Sequence, residues 1–366
     1  VQVSETQTPL HRLETVYRRV TESLRTASMP PSAFRGVLDS WLFTLESDVV
    51  AADPSLQARG SAALGQAVDQ LLEARLATVS TRTPIFAQAL RGYRSALASG
   101  AAATADGLAA WMGGQPQVAA TAKRAAGIRG ELDHFGAMGF LQGLLTVLRD
   151  AGHPGLVLVL DEVETLQRVR GDVRDRALNA LRQLIDEIDA GRFPGLYLLV
   201  TGTPAFFDGP SGVSRLPPLA QRLATDFGTD ARFDNPRAVQ IRLPGFDHAA
   251  LVAVGHKVRD LYAADSATSG RVRTLVDDAY ISDLADAVTG RLGGRVGVAP
   301  RVFLKKLVAD VLDRVDQFPD FDPRVHYALT VETSELTLVE RVSRDASGVQ
   351  SLDDIDIDVD ATAVDD

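Results

Sequence analysis

GLVLVLDEVETL, residues 155–166, decides how the rest of the chain is read. Leu156 to Leu160 run without interruption into Asp161-Glu162. A strand covered on both faces is aliphatic at every position, whereas a half-solvated strand alternates. The run therefore predicts a buried strand of a parallel sheet over 156–160. Ligands bind at the carboxyl ends of such strands, so Asp161 and Glu162 are expected to emerge into one crevice.

There, one carboxylate can hold magnesium on a nucleotide's phosphates and the next can polarise the attacking water. That is the pattern of a Walker B motif. It makes Asp161 the magnesium residue, acting through a water, and Glu162 the general base. A strand that ends by chance in two solvated acids is the alternative reading. Glu164 adds a third acid, for which a structural salt bridge is the simpler account.

The flanking text supports a parallel sheet. Residues 131–150 carry a helical apolar period and are closed by Gly152 and Pro154. A second helix is predicted over 172–190, closed by Gly191 and Pro194. Two further aliphatic stretches, GLYLLVTGTP (195–204) and AVQIRLPGF (238–246), read as a second and third strand. Strands alternating with helices imply βαβ units.

Val1-Gln2-Val3 reads as the tail of a strand, and Thr8-Pro9 as the start of a helix reaching to 26. Residues 30–130 are Ala-rich and helical. After the third strand come three helices, 247–264, 273–290 and 299–315, then a short hairpin and an acidic end. That end, residues 351–366, holds seven Asp and reads as solvated. The expected organisation is an α/β, AAA+-like core over 1–30 and 131–246, with a helical insertion at 31–130. A helical lid at 247–325, a hairpin at 326–345 and an acidic tail at 346–366 complete it.

Bulk composition narrows the function. Of the 366 residues, 45% are hydrophobic and 23% charged, the range of globular proteins, and the formal net charge is −10. An acidic chain does not bind nucleic acid through bulk charge, although a local basic face stays open. Cysteine is absent, which excludes disulfides and thiolate chemistry and fits a cytoplasmic protein. No apolar run approaches the roughly 20 residues that span a bilayer. The six His, at 11, 134, 153, 248, 256 and 326, form no metal motif.

Three more residues complete the expected site. The second strand ends in Thr201-Gly202-Thr203, where AAA+ ATPases carry the polar residue called sensor 1, which makes Thr201 the candidate. Taken alone it reads as an ordinary strand-to-turn threonine. Arg301, after Pro300 in GGRVGVAPRVFLKKLV, resembles sensor 2, the lid-helix arginine that reaches the γ-phosphate. Arginine suits that task because its fork binds phosphate bidentately, and an exposed first-turn Arg is the alternative. Arg222, preferred over Arg215 in SRLPPLAQRL, occupies the place of an arginine finger acting on a neighbouring subunit.

A phosphate loop, GxxxxGK[ST], does not occur. The four Lys stand at 123, 257, 305 and 306, and none is followed by Ser or Thr. In AAA+ order the loop precedes Walker B, so it is expected to lie before Val1.

In combination, GLVLVLDEVETLQ, LRQLIDEI, LYLLVTGTPAFF, LPPLAQRL and IRLPGF resemble the ATP-binding proteins of BREX phage-defence systems, the BrxD-like family. SWLFTLESDVVAADP, FAQALRGYRSAL and LAAWMGGQP resemble that family's helical insertion, and GVAPRVFLKKLVADVLD its lid helix. The likeness covers most of residues 5–320. It implies an ATPase using ATP and Mg2+ in a bacterial system that marks host DNA and blocks phage replication. Other defence-system proteins are then the expected partners, with DNA and further copies of the chain left open. Without GxxxxGK[ST], these residues alone are expected to turn over ATP weakly or not at all. Two other readings stand beside it: a non-catalytic scaffold on a degenerate NTPase fold, and a signalling or transposition-helper ATPase.

Overall fold

In the computed structural model, residues 1–4, 7–58, 61–228, 230–243, 245–291 and 300–328 are described. The hairpin from residue 329 onward and the acidic tail lie outside them. The chain divides into two units, Val1–Ala224 and Thr225–Asp366.

The first unit is mostly helical around a small parallel sheet, an α/β arrangement. Its helices are α1 (Leu13–Ser23), α2 (Phe34–Ala52), α3 (Ser61–Arg82), α4 (Pro84–Ala98), α5 (Ala102–Met112) and α6 (His134–Asp150). The strand β1 (Leu156–Leu160) follows, then α7 (Gly171–Asp189), β2 (Leu196–Val200) and α8 (Pro217–Leu223). The local causes are plain. Asp133 caps α6 by accepting from the Gly136 N–H at 2.7 Å, and Gly152, at φ +89°, lets the chain leave it.

One apolar core runs from Val3 to Leu219. Phe140 of α6 stands at its centre. Its ring meets Tyr17 of α1 at 5.9 Å, Phe86 of α4 at 5.1 Å and Trp111 of α5 at 5.3 Å, all edge-on. Edge-on contacts suit the quadrupole of the rings and add to their burial. Several polar groups drawn into this core are paired. Tyr17 donates to the Met112 carbonyl at 2.9 Å, Thr21 to the Gly113 carbonyl at 2.7 Å, and the Trp41 indole to Asp150 at 2.6 Å.

β1 and β2 pair in parallel, Leu156 opposite Leu196 through Leu160 opposite Val200. Gly155 lets them start together, because a Cβ there would stand 2.1 Å from the Gly195 carbonyl oxygen. On the other side of β1, Val1–Val3 adds a short parallel ladder. The Val1 nitrogen donates to the Val159 carbonyl at 2.8 Å, Asp161 N–H to Val1 and Val3 N–H to Asp161, each at 2.9 Å. β1 is thus hydrogen-bonded along both edges at its carboxyl end.

Two expectations are corrected. The aliphatic runs imply cover on both faces, but one face is open: Val157 is 64% exposed, Tyr197 65% and Leu199 42%. The even-numbered side chains face the core, and no described residue buries Val157, Tyr197 or Leu199. The third strand is also absent. Described residues of 238–246 form no ladder, and Val239, Ile241 and Leu243 stand in solvent. Alternating apolar residues make a strand only where a neighbouring strand pairs with their backbone, and here the Gln240 N–H donates instead to the Thr225 hydroxyl at 3.3 Å.

The second unit is helical. It contains α9 (His248–Asp265), a short helix Ser269–Leu275, α10 (Asp278–Arg291) and α11 (Pro300–Lys305), continued as a π-helical stretch Lys306–Leu312. Leu251, Ile281, Phe303, Leu307 and Val311 are among its buried residues.

Candidate functional site at the carboxyl end of β1

Asp161 and Glu162 leave the sheet where β1 ends, and both are exposed. The ends of β1 and β2 are stitched by Thr201 N–H to the Leu160 carbonyl at 2.9 Å and Val163 N–H to the Thr201 carbonyl at 3.3 Å. This frame fixes Thr201 beside Asp161, and its hydroxyl donates to Asp161 Oδ1 in a short contact. The same oxygen accepts the Glu162 N–H at 3.1 Å, while Oδ2 takes no hydrogen bond among the described residues.

Glu162 sits at φ 60°, ψ 39°, in the left-handed region. That region is uncommon for a residue with a Cβ, and such positions cluster at functional sites. It starts a 3-10 turn, Val163–Arg168. Its carboxylate Oε2 accepts the Gln2 side-chain amide at 2.6 Å. Thr165 ties the same turn to the N-terminal segment, donating to the Val3 carbonyl at 3.2 Å and to the Glu162 carbonyl at 2.9 Å.

Glu164 is half-buried, and its Oε2 is buried without a hydrogen-bond partner. It lies over Gly202, where a Cβ would meet Val163 at 2.8 Å and Glu164 Oε2 at 3.5 Å. The salt bridge expected of Glu164 is not formed among the described residues.

The structure therefore brings Asp161, Glu162 and Thr201 together, and it does not bring Arg222 to them. The Arg222 guanidinium makes a short contact with Asp186 of α7 and donates to the Pro218 carbonyl at 2.9 Å. Arg215 pairs with Asp175 at 3.1 Å. Arg301 stands exposed in the first turn of α11, in the second unit.

Asp161 suits magnesium bound to a nucleotide. That ion takes one or two carboxylates, phosphate oxygens and waters rather than an all-protein cage. Among the described residues no three His, Asp or Glu converge into such a cage. An exposed carboxylate, steadied through one oxygen and open at the other, fits that minimal role.

A second polar concavity lies in the other unit, a cavity of about 440 Å³ lined by Arg259, Asp260, Arg273, Asp277 and Asp278. Two of its acids, Asp277 and Asp278, are held below the usual carboxylate range. Asp278 is lowered first by the Arg259 hydrogen bond, and Asp277 first by the Tyr280 N–H and then by Arg324. None of the residues singled out in the sequence lines it.

Sequence reading missed Gln2 as a site residue. The signal was present, since a Gln between two Val in a strand tail points to the opposite face from both. Its partner, however, lies 160 positions away.

The family described as BREX system ATP-binding protein BrxC/D matches residues 1–331. The chain belongs to this BREX ATP-binding family. No curated protein and no solved structure matches it. No helix among the described residues is long and apolar enough to cross a membrane.

Proposed function

We propose that the full-length protein hydrolyses ATP as a component of a BREX phage-defence system, and that β1 carries its Walker B motif. The observation that carries this reading is the Asp161–Thr201 contact across two parallel strand ends, with Glu162 next in the chain. Asp161 orients a magnesium ion through water, with Thr201 holding its other oxygen. Magnesium, when bound, neutralises phosphate charge. Glu162 accepts a proton from the attacking water. Thr201, held against Asp161, would serve as sensor 1.

The wider reading is an AAA+-like P-loop core over 1–30 and 131–246. An insertion at 31–130 and a lid at 247–325 complete this organisation, with Arg301 of the lid as its sensor 2. Arg222 acts across a subunit interface once released from Asp186. Turnover would remodel or load a DNA-associated complex in the cytoplasm, with other defence proteins as partners.

Glu162→Gln in the full-length protein is the test. It should abolish turnover while Mg2+-ATP still binds, and unchanged turnover would refute the reading. A second reading is a partner-binding scaffold on a degenerate NTPase fold, which a full-length protein naturally without GxxxxGK[ST] would support. It requires that the full-length protein fail to retain ATP.

A further inference from the structure

The two adjacent carboxylates are drawn to opposite sides of β1. Asp161 is held from the β2 side by Thr201, and Glu162 from the N-terminal side by Gln2. Neighbouring like charges repel, and a separate donor for each keeps both ionised side chains in defined places.

Gln2 is built to be such a donor. Its main chain is bridged to Asp161, with hydrogen bonds on both sides of it. Thr165 adds a third tie between this segment and the turn that Glu162 begins. An amide facing a carboxylate must present its NH2 end, since its oxygen would be repelled. At 2.6 Å the bond is at the short end for one to an ionised acceptor. It occupies Oε2 and leaves Oε1 without a hydrogen bond among the described residues. The left-handed backbone at Glu162 turns the residue out of the line of β1, so the side chain needs a partner to define its direction.

We propose that Gln2 is a positioning residue for Glu162: its amide holds one carboxylate oxygen so that the other faces the attacking water. This rests on the reading of Glu162 as general base. Both side chains are exposed, so losing the bond leaves the fold intact and acts on the direction of Glu162.

The test compares Gln2→Ala, Gln2→Met and Gln2→Glu with wild type and Glu162→Gln in the full-length protein. Met keeps the length of Gln without its donor, and Glu replaces the donor with a like charge. All three should lower kcat for ATP, by about tenfold for Ala and Met, the size of one hydrogen bond to a charged group, and further for Glu. KM should stay near wild type. In protein labelled with 15N at glutamine, the Gln2 side-chain amide signals should move in Glu162→Ala.

If those signals do not move, the contact is absent in solution and the proposal falls. Wild-type kcat, or a raised kcat, in Gln2→Ala and Gln2→Met overturns the positioning role alone, provided that Glu162→Gln is inactive. If Glu162→Gln turns over like wild type, the reading of Glu162 as general base falls and this proposal with it.

Discussion

The hydroxyl of Thr201 donates to the carboxylate of Asp161 across the ends of two paired strands. Forty residues separate them in sequence, and the β1–β2 register makes them neighbours. Leu160 lies opposite Val200, so the next residue of each strand meets at the rim. Removing the hydroxyl while keeping the branched shape isolates this bond. Thr201→Val should lower ATP turnover in the full-length protein and cost about 1 kcal/mol of stability. Thr201→Ser should retain most turnover. Steady-state hydrolysis with urea unfolding of each variant checks both.

The core and the open face of the sheet should respond oppositely. Phe140→Ala removes the ring on which Tyr17, Phe86 and Trp111 converge and should destabilise the first unit by about 3–5 kcal/mol. Tyr197→Ser alters a residue 65% exposed, and its effect should stay within about 0.5 kcal/mol. Denaturant midpoints at constant m-value decide this.

These contrasts mark what was legible in the sequence. Leu156–Leu160 and Leu196–Val200 read as strands because five apolar residues set off by Gly and Pro turn signals are too few for a buried helix. The helices around them follow from period and from Gly152 and Gly191. Asp161, Glu162 and Thr201 were legible as strand-end polar residues. Two readings were not recoverable. An aliphatic run reports that a strand can be covered on both faces, not what covers it, so the exposure of Val157 and Leu199 has no local signature. The alternation of Val239, Ile241 and Leu243 fits a strand equally well, but the pairing that makes a strand is a property of the neighbour. Gln2 escaped because its meaning lies in a contact that no local spacing encodes.

Gly155→Ala should unfasten the start of the sheet. The added Cβ meets the Gly195 carbonyl oxygen at 2.1 Å, a backbone atom that cannot swing aside. The strands must part, at a cost of about 1–3 kcal/mol or more. Because the same register places Thr201 beside Asp161, turnover should fall together with stability. Gly152→Ala, with open space around its Cβ but φ +89°, tests the separate cost of left-handed backbone.

Stability should fall on the alkaline side. Burial raises Tyr17, Tyr93, Tyr262 and Tyr327 above the ordinary phenol value, and pushes Tyr280 up to about 12. A raised native value means that the unfolded chain releases the proton first, from about pH 10. The stabilisation is therefore complete below pH 10 and is lost as pH rises towards 12 and beyond. In a Tyr197→Phe background, which removes the one exposed phenol, absorbance of ionised tyrosine should appear together with loss of helical ellipticity. Phenol titration well before unfolding would contradict this.

The most direct test is the nucleotide retained by full-length Glu162→Gln after incubation with Mg2+-ATP and gel filtration. The account predicts ATP, unhydrolysed, on the Glu162→Gln protein, with ADP or no nucleotide on wild type. ADP on both proteins, or no nucleotide on either, would contradict the assignment of Glu162 as the base of an ATP-hydrolysing site.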